Sequence, residues 1–594
     1  MLAMAVTSYC CMSSGIAQTS PVVTPVPPAP SVPGIARVDT SALAATSVEP
    51  TLLTAVLLLG STSLAPSQVA PYFSAYIGQS VDAALLQQIR LAVSTAYDDA
   101  GLGLVSIDAP LMQGSVAAVR VQQLSLSKIV VAVGADVDTP AAQLKAAAAL
   151  PALRVGATPR LKALDQQLRL ANLQPRRRWS VDFRSAETAL IPAQAPASPL
   201  AQAPSGAATF SSQPGQSIAS AKDAPQAGQP IRMPGFSASR QSGAMVEARV
   251  SASDEDAFFG RVTLDNAGQP STGRERLRLQ LGHADLLGPG HALDVTAVVS
   301  VAHPQRQQQI ALRYQHPLVA WSTLVTAEVS RSRSKPGLVN SFFDVSGNSR
   351  SASLSARHLL ARRGALEPYL EAGLESTVND DVVDFFGVNL GSKVGSSPLA
   401  LAIGATWQSA PWSAFGQVRI KHNTGWGTAA SQTEYTAARF GAKPGWTTLD
   451  ASLEARLAMG GGQEAVLRSQ GQWAGDPLIS PQQFRVGGQN IMRGLRESEM
   501  AGDKGLALAF EYWWSLGADH RLGALLDTAR TQRNQALANE PDTSSATTAG
   551  ALWQWQINRA VRLNASAAQV ISAHQLPLSR KGNSRLHMLL DWSF

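Results

Sequence analysis

From about residue 258 to Phe594, apolar and polar residues alternate in segment after segment. In "RLRLQLGH", Leu277, Leu279 and Leu281 share one face and Arg276, Arg278 and Gln280 the other. "ALDVTAVVS", "QQIALRYQH", "WSTLVTAEVS", "FGQVRIKH", "LDASLEARLAM" and "WQWQINRA" repeat the pattern. The last segment, "RLHMLLDWSF", puts Leu586, Met588, Leu590, Trp592 and Phe594 on one side. Arg585, His587, Leu589, Asp591 and Ser593 fall on the other. A period of two is the period of a strand, whose side chains point alternately to its two faces. A sandwich or propeller has no reason to place Arg, Gln and Asp so regularly on the inner face. A membrane barrel does, because lipid covers one face and a polar lumen the other. Such strands cross lipid only as a closed sheet, since an open edge would leave unpaired N–H and C=O groups in hydrocarbon. At roughly twenty-one residues per strand and connection, residues 258–594 hold about sixteen strands. The expected fold is a transmembrane antiparallel β-barrel.

Composition agrees. Only 15% of residues are charged, and no run of eighteen apolar residues offers a transmembrane helix. The longest apolar stretch, "LLTAVLLLG" at 52–60, reads as a buried strand. The net charge of +7 is thin for 594 residues, and no basic run interleaves with aromatics, which argues against nucleic acid as a partner. The chain shows no nucleophile–base arrangement, no metal-ligand spacing and no nucleotide motif, so no catalytic residue, metal or cofactor is expected.

Before the barrel the pattern changes several times. Residues 1–17 carry a short apolar stretch and a small-x-small end at Gly15-Ile16-Ala17, as a signal peptide does, and the only cysteines, Cys10 and Cys11, lie there. A mature chain without cysteine suits an oxidising periplasm. Residues 18–49 read as a proline-rich extended linker, with "TSALAATS" at 40–47 as a possible plug segment. Residues 50–135 read as a small α+β domain. It has a strand near 52–58, a helix with Leu85, Ile89, Val93 and Tyr97 on one face, and two strands in "LVSIDAPL" and "SVAAVRVQQL". A second such unit spans 136–257. Its helix carries Leu161, Leu164, Leu168 and Ala171, and a strand follows with Trp179, Val181 and Phe183 inward. Residues 190–243, rich in Ala, Pro, Ser, Gln and Gly, bury too little apolar surface to order themselves, and read as a disordered insertion. "AMVEARVSA" after it supplies the unit's last strand.

One barrel segment breaks the alternation. "FRVGGQNIMRGLRESEMAGDKG", residues 484–505, is glycine-rich and basic. It is no phosphate loop, since neither the glycine spacing nor the following Lys-Ser/Thr of that motif is present. It resembles the most specific stretch of the two-partner secretion transporters, the haemolysin secretion/activation family. That family carries Phe-x-Ile-Gly-Gly, then Val-Arg-Gly-Phe/Tyr, then Gly-Asp-x-Gly leading into a strand with Glu. Here these read Phe484, Val486, Gly487, Gly488; Met492, Arg493, Gly494, Leu495; Gly502, Asp503, Lys504, Gly505; and Glu511. "LDNAGQPSTG" at 264–273, "DLLGPGH" at 285–291, "AYDDAGL" at 96–102 and "LGALLDTAR" at 522–530 resemble further family motifs. In the last of these Asp527 is kept and Ala529 replaces a glycine.

The resemblance implies two periplasmic POTRA domains before a barrel of about sixteen strands in the outer membrane of a Gram-negative bacterium. It implies that the 484–505 loop folds back into the lumen and that Arg493 pairs there with Asp527. Function would be export without ATP. The POTRA domains would take an unfolded exoprotein by strand addition, with Tyr97 and Arg160–Leu168 as candidates beside the recognition groove. The implied partners are that exoprotein, outer-membrane lipid and, through the terminal Phe594, the barrel-assembly machinery. A barrel-assembly factor of the same superfamily and a passive porin are the rival readings.

Overall fold

A computed structural model describes residues 51–185 and 245–594, apart from 61, 62, 135, 175, 176, 254, 255, 340–342, 386, 387, 538 and 539. The expected signal, linker, plug segment and insertion lie outside the described residues.

Residues from Phe258 onward form a closed antiparallel barrel of 16 strands. Each strand pairs with its sequence neighbour, from the first (Phe258–Asp265) to the last (Ser584–Ser593). The ring closes where the last strand pairs with the first, over the register Leu589↔Asp265 to Ser593↔Arg261. Closure continues one residue further. Gly260 and Phe594 exchange both backbone hydrogen bonds, at 2.9 and 3.0 Å. The Phe594 ring lies over Gly260, where a Cβ would stand 2.2 Å from it.

The alternation is realised as drawn from the sequence. In the last strand Leu586 and Trp592 are 56% and 50% exposed, while His587 between them is 5% exposed. Leu277, Leu279 and Leu281 face outward in the second strand (Arg276–His283). Exposed tryptophans mark the two rims. Trp321, Trp407, Trp412, Trp514 and Trp592 ring the end nearest the N-terminal domains, and Trp426 and Trp473 lie at the far end. An apolar band between aromatic girdles is what a bilayer requires of a barrel surface. No helix among the described residues is long and apolar enough to cross a membrane.

Two small α+β domains precede the barrel. In the first, Ala55–Leu59 runs parallel to Val116–Gln123, which also pairs with Val105–Ile107 and Leu111–Gln113. The helix Ala83–Asp99 buries Leu85, Ile89, Val93 and Tyr97 against this sheet, and the Asp82 carboxylate accepts from Leu85 N at 2.6 Å to cap its first turn. A short helix, Pro66–Phe73, was not expected; Pro71 inside it hid the pattern. The second sheet has the order 136–137, 125–133, 245–252, 179–185. Met245–Ala252 forms the unit's last strand in the chain, as expected, and lies in the interior of the sheet. Strand Ser125–Val133 pairs parallel with it, so the second domain starts at about Leu124 rather than at 136. An alternating strand fits either sheet equally well, and only pairing assigns it.

The second domain sits on the barrel through its helix Leu161–Asn172. Leu170 packs with Leu324, Leu359 and Tyr369 at the near rim. Arg169, 5% exposed, donates to the Leu360 carbonyl at 2.7 Å and pairs with Glu367 at 3.4 Å. Arg362 reaches back to Asp165 at 3.3 Å, and Arg177 pairs with Asp285 at 2.7 Å.

Candidate functional site

Between the eleventh strand (Gln463–Ala474) and the twelfth (Lys504–Leu516), at the far end, the chain turns back into the lumen. Residues Phe484–Val486 and Met500–Gly502 pair as a small hairpin. Its apolar side buries Phe484, Val486, Met492, Leu495 and Met500 against the small inner-wall residues Ala507, Ala529 and Ala546. Small wall residues are what allow a second layer of chain to fit inside a barrel.

Glycine serves two separate purposes here. Gly487 and Gly488 have φ of 125° and 109°, backbone that L side chains rarely adopt. At Gly494 and Gly502 the reason is space. A Cβ at 494 would stand 2.8 Å from Thr548 Cγ2, and one at 502 would stand 2.7 Å from the Gln532 carbonyl. Gly505 is not in the loop. It belongs to the twelfth strand, paired with Gln472, and the Phe484 ring lies directly over it. Met492 takes a left-handed φ of 63° with a fully buried side chain.

Arg493 stands at the tip. Its backbone N–H donates to Asp527 Oδ2 at 3.0 Å, its Nε to the same oxygen at 3.0 Å, and its Nη2 to Oδ1 at 2.7 Å. Its Nη1 donates to Glu511, and His587 Nε2 donates to its carbonyl at 3.0 Å. The structure thus brings together the two residues paired by resemblance and adds Glu511 and His587. Burial alone would favour losing the proton, but Asp527 and Glu511 hold the guanidinium above its ordinary pKa. Lys could not do this. One ammonium cannot grip one carboxylate bidentately while donating to a second in a fixed plane.

The pair does not stand alone. Arg468 joins Glu511 at 2.6 Å and Glu454 at 3.3 Å; Arg456 joins Glu454 at 2.8 Å and Glu464 at 2.9 Å; Arg521 joins Glu464. Opposite charges therefore alternate along the inner wall from Asp527 to Arg521. Glu499 fixes the loop's outgoing side, accepting from Ser579 Oγ at 2.7 Å and Leu578 N at 3.2 Å.

Residues 247–552 match the family model described as haemolysin secretion/activation protein ShlB/FhaC/HecB. The chain belongs to this family. The outer membrane transporter CdiB of Dickeya dadantii (strain 3937) is 24% identical over 303 residues, 50% of this chain. The match spans 52% of that relative, about half its length. Among solved structures, CdiB from Escherichia coli has a TM-score of 0.68 at 17% identity, covering 94% of this chain and 93% of its own. CdiB from Acinetobacter baumannii has a TM-score of 0.63 at 14% identity, covering 92% and 90%. The two structures show a shared fold from the N-terminal domains through the barrel.

Of the groove candidates Tyr97 and Arg160–Leu168, Arg160 and Lys162 are exposed, while three others are buried. Tyr97 is fully buried in the first domain, and Leu164 and Leu168 lie in the core of the second. Gln166 donates to the Leu359 carbonyl at 2.9 Å, so this helix is taken up by the barrel. The amphipathic pattern alone could not say which object the second face meets. Glu511 stood in the family motif, and His587 on the polar face of the last strand, but nothing in their spacing joined either to Arg493.

Proposed function

We propose that this protein exports a partner exoprotein across the outer membrane of a Gram-negative bacterium, with its POTRA domains in the periplasm and no ATP consumed. The observation that supports this best is the way Arg493 is held. The lumen is occupied by a loop fixed to the wall by ionic and hydrogen-bonded contacts, on a core of small residues. Such contacts are strong while formed yet re-form in water, as a removable obstruction requires. A passive porin has no use for a loop so anchored, and an assembly factor usually carries more than two N-terminal domains.

In this reading an unfolded exoprotein adds as a strand to a POTRA sheet edge, passes the barrel and folds outside, and that folding biases the motion outward. Strand Ala55–Leu59 pairs on one side only among the described residues, which leaves an edge for this addition. Outer-membrane lipid would cover the Leu and Trp band. The barrel-assembly machinery would insert the chain, with Phe594 in the final strand as its signal.

Export of the co-expressed exoprotein in four backgrounds tests the reading: parent, Arg493→Ala, Asp527→Ala and the double variant. A buried pair that loses one partner is destabilised by about 3–5 kcal/mol, so each single substitution should cut export strongly. Because the two act as one unit, the double should be little worse than either. Unchanged export in Arg493→Ala would remove the anchored loop from the mechanism. Additive losses would separate the two residues.

A further inference from the structure

Asp503, the acid of the Gly502-Asp503-Lys504-Gly505 motif, does not touch the Arg493 cluster. It sits at the loop's neck, where the chain leaves the lumen and enters the twelfth strand. Its side chain is fully enclosed. Arg439 grips it bidentately, with Nη2 at 2.9 Å from Oδ2 and Nη1 against Oδ1. The backbone N–H groups of Leu478 and Asn534 donate to it at 2.9 and 2.7 Å, and Gln483 Nε2 does so at 3.4 Å. One carboxylate therefore joins four pieces of chain: the loop's incoming arm, its outgoing arm, the far-end connection 533–542 and the far-end segment 424–446.

The last of these is built to hold an arginine still. Its short helix Gln432–Ala438 opens with a Ser431–Glu434 capping box. Tyr435 and Trp446, both fully buried, pack with Leu478 and Ile479 of the incoming arm. The Tyr435 hydroxyl donates to the Gly395 carbonyl at 3.0 Å and accepts from Asn423 at 2.9 Å. Arg439 follows directly and also donates to the Leu478 carbonyl at 2.6 Å.

We propose that Asp503 and Arg439 form a neck clamp, a second attachment independent of the Arg493 tip, about which the lumen loop pivots without leaving the barrel. The inference rests on the loop being the removable obstruction of the proposed function, and gives its motion a fixed point. The two attachments share no residue, so releasing one leaves the other intact. With the tip released, the loop stays tethered by both arms at Asp503; with both released, only the Glu499 contacts and the hairpin's apolar side hold it in the lumen.

The test reads loop position rather than export, so its failure and that of the export reading are separable. The full chain, with Cys10 and Cys11 replaced by Ser, carries Gln489→Cys near the loop tip and is purified as a heat-modifiable barrel. The rate of modification by a maleimide on a bulky polyethylene glycol is then measured. Arg493→Ala alone should raise the rate little. Arg439→Gln with Arg493→Ala should raise it at least roughly tenfold over Arg493→Ala, because each buried pair is worth well over one decade of population. Asp503→Asn with Arg493→Ala should do the same, and serves if the Arg439 variant fails to insert. Arg439→Lys with Arg493→Ala should fall between, since Lys keeps charge but not the fork. If Arg493→Ala alone modifies as fast as the double variants, the neck holds nothing and the proposal fails.

Discussion

Glu497 shows how a single loop side chain can set the loop's response to its surroundings. It faces the first two barrel strands, near Asp265, Arg276 and Arg278, and its Oε2 has no hydrogen-bond partner among the described residues. Burial is the main cause that lifts its pKa from 4.5 to about 7, Asp265 adds to it, and Arg276, the Gln489 N–H and Arg278 only partly oppose it. The docked loop holds a proton that a released, hydrated carboxyl would give up at lower pH. Docking is therefore favoured as pH falls through 7 and weakened as it rises past it. In planar bilayers the full chain should open more often at pH 8 than at pH 6, and Glu497→Gln should flatten that dependence. An unchanged slope in the variant would place the titration elsewhere. At this scale the sequence was legible where a motif carried it. Arg493 and Asp527 could be named from resemblance. Arg439 could not, because its position depends on how the connection between the ninth and tenth strands folds over the rim toward the loop. Glu497 could not either, since nothing near it in the chain announces burial.

At the scale of elements, alternation was the most legible signal, because side chains in a strand have two faces and lipid and lumen are two unlike environments. Helix Leu161–Asn172 was legible with its core-facing side, Leu164, Leu168 and Ala171. Its second face meets the barrel, and three-dimensional contact is not written in a periodicity. Arg169 is nearly enclosed, yet it bridges two carboxylates and a carbonyl of different elements, Asp165, Glu367 and Leu360. Arg169→Ala should loosen the second domain from the rim while leaving both units folded. Hydrogen exchange should accelerate in 161–172 and in the near-rim turn around 360–365, and remain unchanged in the strands of the last hairpin. Faster exchange throughout the barrel would mean that Arg169 supports the barrel itself.

For the whole molecule, strand number could be estimated from length alone, since each crossing and its connection consume a similar stretch of chain. The 16-strand closure bears that out. The domain boundary near Leu124 was not legible, because strand Ser125–Val133 carries no mark of the sheet it joins.

The ionic ladder on the inner wall has a further consequence. From Asp527 to Arg521 it contains four carboxylates and four guanidinia, and one of those guanidinia, that of Arg493, belongs to the loop. That ladder is neutral only while the loop is home. Withdrawing the loop leaves three guanidinia against four carboxylates and bares Asp527 and Glu511 to the water that replaces it. With the loop withdrawn, the ladder therefore carries one uncompensated negative charge that it lacks with the loop in place, and its field is focused by the narrow lumen. Reversal potentials across a salt gradient should show the large open state favouring cations more than the small basal conductance does. A permeating cation and the loop's own arginine then compete for the same two carboxylates, so the obstruction is drawn back by the charge its departure creates.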